Sequence, residues 1–261
     1  MTTTTTRPRR AAVLALGWTA VAALIVYATW NRGIAMDLML AAMSVVGLFS
    51  HDAVLPFQPD WLGAALRATA TVAAAYLAWR LIRYHRVTRG ACGRCGRTAT
   101  AADPSRRRAL ALWAAYVSIL PAAGYAALKI TWAFGGTIGL ADPSVFAGIK
   151  PWTPGFADTG VMALIGIGVA LAMAHRRPRP PRWLLLTPTL IGLAMLIPVS
   201  ILGTAGNISG ANAAAGFLST MSAWVLWFVY GCFTVWAVCL SIVTVEYHYG
   251  TRGRCATCGR G

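Results

Sequence analysis

The chain has 261 residues, of which 57% are hydrophobic and 11% charged, and its formal net charge is +16. Soluble domains run nearer a quarter charged, so the composition excludes an ordinary soluble enzyme. A charge excess of this size suggests a nucleic-acid partner in a soluble protein, but its placement along this chain says otherwise.

In chain order, residues 1–10 begin MTTTTT, end in Arg7, Arg9 and Arg10, and read as a disordered cytoplasmic tail with nothing to bury. Six apolar segments follow at 11–30, 61–83, 109–129, 156–175, 183–203 and 222–246, each close to the roughly 20 residues that cross a bilayer as a helix. The first is longer than the roughly 7–15 residues of a signal-peptide core and lacks a small-x-small cleavage site, so it reads as an uncleaved span. A seventh apolar run, 34–50, is shorter and is interrupted by Asp37. The expected fold is an all-α polytopic membrane bundle over 11–250. Its six transmembrane helices form three hairpins, with a small cytoplasmic zinc-knuckle clamp.

Nineteen of the 23 basic residues lie in Arg7–Arg10, Arg80–Arg97, Arg106–Arg108, Arg176–Arg182 and Arg252–Arg260. With six spans, all five places fall on one side, and short basic loops stay cytoplasmic. Both termini are therefore expected inside the plasma membrane, where the arginines attract anionic lipid headgroups. Asp37, Asp52, Asp60, Asp142 and Asp158 then lie outside. A seven-span form with the N-terminus outside displaces only Arg7, Arg9 and Arg10 and remains open. On either topology the basicity is a membrane-orientation signal, and no nucleic-acid partner is expected.

Within the spans, Gly166, Ala170 and Ala174 make a small-residue face suited to close helix approach. Pro121 and Pro198 introduce kinks, which membrane helices tolerate when neighbours satisfy the freed carbonyls. Cys232 and Cys239 share a face of the last span and read as small core residues.

The most specific signal is a repeated cassette. YHRVTRGACGRCGR (84–97) returns as YHYGTRGRCATCGR (247–260), matching at nine of 14 positions with an offset of 163 residues. Two cysteines three positions apart supply half of a tetrahedral zinc site, and the following Gly96 and Gly259 permit the tight turn that such a knuckle needs. Cys92, Cys95, Cys255 and Cys258 in one reducing compartment complete a four-cysteine set, which favours a structural zinc ion over a disulfide framework. Such an ion would tie the end of the second span to that of the last, and Arg94, Arg97, Arg254 and Arg260 would offset the thiolate charge. Two other uses stay open: separate sites completed by His85, His248 or another subunit, and a thiol–disulfide pair activated by the neighbouring arginines.

Arg67 and Lys129 are charges within or beside spans, where an ionisable group is a functional candidate. Both can snorkel to the outer surface. Alternatively, with Asp37, His51, Asp52 and Asp142 they line a polar vestibule open to the outside. Around Lys129 the stretch LKITWAFGGTIGL has the pattern Lys-x-x-Trp-Ala-x-Gly-Gly. This motif resembles one in uncharacterised multi-span membrane proteins of high-GC actinobacteria, a source that the 21 Arg against 2 Lys also fits. The resemblance covers only this short stretch of the chain and implies a bacterial plasma membrane but no activity.

The chain carries no Gly-rich phosphate loop, no His-Glu-x-x-His and no Ser-His-Asp pattern, and its one glutamate is Glu246. The expected role is non-enzymatic, a transport (permease-like) or scaffold component. A membrane thiol–disulfide oxidoreductase using the Cys-x-x-Cys pairs is the alternative.

Overall fold

The computed structural model describes residues 7–29, 37, 60–98, 104–148, 150, 151, 153, 155–176, 181–214 and 216–259. The run 34–50, apart from Asp37, lies outside the described residues, as do His51, Asp52, Arg260 and the 1–6 tail. Among the described residues six long helices carry the fold: α1 Arg7–Thr29, α2 Trp61–Thr88, α3 Pro104–Ala133, α4 Ala157–His175, α5 Arg182–Ile208 and α6 Ala223–Gly250. No strand occurs among the described residues; the nearest thing is an isolated antiparallel bridge between Leu140 and Met221.

Five helices among the described residues, α1 and α3–α6, are long and apolar enough to cross a membrane. The 28 residues of α2 are long enough too, but Arg67 and the arginines from Arg80 onward dilute its apolarity, and it falls outside those five. Several helices outrun their apolar segments, α2 to Thr88 and α6 to Gly250. Apolarity ends at the bilayer edge, whereas a helix runs on until a cap stops it.

The chain divides into two compact units, Met1–Ala101 with Arg254–Gly261, and Ala102–Gly253. In the first, α1 and α2 lie antiparallel: a Cβ on Gly17 would strike Leu81, and Arg10 Nη1 donates to the Thr88 carbonyl at 3.2 Å. Asp60 caps the start of α2 by accepting the Gly63 N–H at 2.9 Å. Its other end closes when the Gly90 and Ala91 amides return to the Val87 and Arg86 carbonyls.

In the second unit, α6 packs against α3, α4 and α5. Small residues set the spacing. Ala115, Ala122, Ala126, Ala163, Ala170 and Ala174 are buried at or below 1% exposure, so backbones approach closely and dispersion does the packing. The expected small-residue face of α4 is used this way: Gly166 sits under the Trp236 ring of α6, with Ala170 and Ala174 beside it in the core. Cys232 and Cys239 are buried in the same core. Buried Ser118, Thr189, Ser200 and Thr244 turn their hydroxyls onto carbonyls of their own helices, which satisfies them without a polar neighbour. Pro121 stands inside α3, and both Pro188 and Pro198 inside α5.

The Lys129–Gly136 motif ends α3. Trp132 Nε1 donates to the Ile138 carbonyl at 2.9 Å, and the Gly136 amide returns to Thr131 at 2.8 Å.

Replacing Gly166 by Leu drives a side chain into Trp236 and should lower stability by about 1–3 kcal/mol. Thermal unfolding in detergent micelles reads the loss. Gly192→Leu, where nothing lies within 4 Å, should leave the midpoint unchanged.

Candidate metal centre

Both Cys-x-x-Cys segments fold into the same turn. In the first, the Gly96 amide donates to the Cys92 carbonyl at 2.7 Å; in the second, the Gly259 amide donates to the Cys255 carbonyl at 2.8 Å. Gly96 and Gly259 stand at φ of +75° and +67°, a conformation that a Cβ would strain. The first knuckle is tied to α2, with the Cys92 amide donating to the Arg97 carbonyl at 3.1 Å and Arg86 Nη1 to the Arg94 carbonyl at 3.3 Å.

The two knuckles bring Cys92, Cys95, Cys255 and Cys258 together, all four sulfurs within 4.8 Å of one another. Cys95 Sγ and Cys258 Sγ are 3.6 Å apart. A tetrahedral ion at about 2.3 Å from each sulfur needs sulfurs about 3.8 Å apart, so the set fits a metal ion after small adjustments. Cys95 is buried and the other three are half-buried. His85 and His248 are not members of the cluster.

The turns also prepare the first sulfur of each pair as a thiolate. Backbone N–H groups of Thr257 and Cys258 point at Cys255 and bring its thiol down to about 6. The Cys92 thiol is lowered in the same way, by the N–H groups of Cys95 and Arg94. A depressed thiol pKa stabilises the ionised, metal-binding form above that pKa and loses the benefit as pH falls through it.

The expected vestibule residues divide. Arg67 and Asp37 meet in the first unit, where both are buried. Arg67 Nη2 donates to Asp37 Oδ1 at 2.7 Å, and Nε donates to Oδ2. Asp60 Oδ2 lies 3.6 Å from the same guanidinium. Lys129 and Asp142 belong to the second unit and have local partners. Lys129 Nζ donates to the Gly155 carbonyl at 2.7 Å and sits 4.9 Å from the Phe156 ring centre, 5.5 Å from Trp132 and 5.9 Å from Tyr125. Its charge is held by aromatic faces. Asp142 caps the short 3-10 turn Pro143–Phe146 through the Ser144 amide. His51 and Asp52, the remaining candidates, are outside the described residues.

One pair escaped sequence reasoning: Arg176 with Glu246, which joins the end of α4 to the last turns of α6. Only the singularity of Glu246 hinted at it.

In the metal-free protein the Cys255 thiol should stay reactive toward iodoacetamide until pH falls through about 6, well below the point at which an ordinary cysteine loses its thiolate. Alkylation rates measured across pH, with Cys255→Ser as the reference, read the shift. In the first unit, Asp37→Asn leaves Arg67 buried with only half-exposed Asp60 nearby, and should destabilise by about 3 kcal/mol. The double change Asp37→Leu with Arg67→Leu should recover most of that loss in detergent unfolding.

No protein-family model, curated protein or solved structure matches this chain.

Proposed function

We propose that the chain is a non-enzymatic integral protein of the bacterial plasma membrane, a scaffold component fastened by a structural zinc ion on Cys92, Cys95, Cys255 and Cys258. Four sulfurs drawn from cassettes 163 residues apart into one cluster carry this reading. Zinc is the favoured ion because four thiolates in a tetrahedral arrangement are its usual structural donor set. The reducing cytoplasm keeps those thiols available. In small peptides such an ion contributes roughly 10–16 kcal/mol, enough to hold the end of α2 to the chain segment that follows α6.

The proposal takes α2 as the sixth span. Its 28 residues reach about 42 Å, and its one buried cation, Arg67, is neutralised by Asp37. The six helices then cross as three hairpins with both termini cytoplasmic, in the actinobacterial membrane family that the Lys129–Gly136 motif resembles. A transport role is the second reading, supported by the Arg67–Asp37 pair, because buried charge within spans accompanies ion and substrate paths. Thiol–disulfide chemistry is the alternative from another class, supported by the lowered Cys255 thiol.

Elemental analysis of the purified protein beside Cys92→Ser separates zinc from redox use. The expected result is one zinc per wild-type chain, almost none in the variant, and four thiols that resist alkylation until a chelator is added. A metal-free wild type whose Cys-x-x-Cys thiols cycle between dithiol and disulfide would overturn the zinc reading in favour of the oxidoreductase.

A further inference from the structure

One face of α2 changes character in the order a membrane does. Val72, Tyr76 and Trp79 are 70%, 58% and 52% exposed, and Arg80 and Arg83 follow on the same side one turn later. Spacings of three and four residues stack these side chains along one stripe of the helix. Arg80 lies over the Tyr76 ring at 6.0 Å and donates to its hydroxyl at 3.3 Å, while Arg83 lies over the Trp79 ring at 5.7 Å. The first knuckle folds back onto this stripe. A Cβ on Gly93 would stand 3.8 Å from Arg83 Nε and 3.1 Å from Val87 Cγ2, and the next residue, Arg94, is exposed.

Apolar, then aromatic, then arginine is the sequence of hydrocarbon, interface and headgroup layer. The charge on the face is of one sign. The described carboxylates of this unit are Asp37 and Asp60, both engaged with Arg67 sixteen residues back along α2, about 24 Å away.

We propose that Arg80, Arg83 and Arg94 form a binding surface for the phosphodiester headgroups of anionic phospholipids. The metal knuckle then lies in the headgroup layer of the membrane, with no reach into the cytoplasm beyond it. Arginine suits this role because its planar fork pairs with two phosphate oxygens while its other face rests on an aromatic ring. The knuckle contributes Arg94 and so makes the metal centre part of the lipid surface. The inference rests on the membrane and zinc readings above.

The test uses full-length protein reconstituted in mixed phosphatidylglycerol and phosphatidylcholine vesicles, extracted gently, with retained lipid counted by native mass spectrometry and zinc measured on the same sample. Each arginine near an anionic surface contributes about fivefold in affinity, so Arg80→Gln with Arg83→Gln should cut phosphatidylglycerol retention at least about tenfold with zinc unchanged, and adding Arg94→Gln should deepen the loss. Lysine at the same three positions should keep most of the retention and lose headgroup selectivity. The pair Arg106→Gln and Arg108→Gln on α3, outside the aromatic stripe of α2, should cut retention clearly less than the α2 variants do.

Undiminished retention in the triple glutamine variant would overturn the proposal. So would an equal loss in the α3 pair, which would mean bulk charge without a defined surface. Tighter binding of wild type to single-stranded nucleic acid than to phosphatidylglycerol vesicles would overturn it in favour of a nucleic-acid surface. Absence of zinc from the wild type would instead defeat the earlier reading, so the two failures are distinguishable.

Discussion

A tetrahedral ion asks for four donors, and a Cys-x-x-Cys turn can offer only two. That shortage constrains this chain more than any other feature. Each knuckle is built locally, by a glycine amide returning to the first cysteine's carbonyl and by backbone N–H groups aimed at its sulfur. Neither half can bind a structural ion alone. Their meeting closes a loop of more than 160 residues, at a cost in chain entropy that grows only slowly with loop length.

The helices do not supply a comparable constraint. In a bilayer, lipid tails are as apolar as leucine, so helix association rests on dispersion, small-residue contact and a few polar links. The alanine-lined core of the second unit and the Gly166–Trp236 contact are of this kind. So is the Arg176–Glu246 pair at the end of α6. These contacts are individually small. The four-cysteine cluster adds a link between parts of the chain far apart in sequence.

Charge on the long helices is handled by neutralisation in one unit and by aromatic faces in the other. Arg67 answers a desolvation cost by sharing its guanidinium between Asp37 and Asp60. Lys129 answers it with three rings and one carbonyl oxygen. Both arrangements explain how a lone cation persists beside apolar surface, and each is specific to its own surroundings.

The helical architecture was legible because a membrane helix must satisfy its own backbone and cover it with apolar side chains, so length and hydropathy mark it directly. The pairing of the cysteine cassettes was legible too, since a repeated half-site has no structural purpose without its second half. Roles such as Gly166 against Trp236 could be named only as a small-residue face; which helix lay opposite was a property of the folded bundle. The partners of Lys129 and Glu246 were likewise invisible, and Asp37 could be named for Arg67 only as one of several outer residues, because Coulomb attraction and cation–π contact depend on distance in space and leave no periodic trace along the chain. Sequence by itself determined the apolar helices, the charge asymmetry between their ends and the four cysteines that gather. Tertiary structure alone decided which charges meet, since that depends on how helices rotate about their axes, and small residues at the interfaces set that rotation.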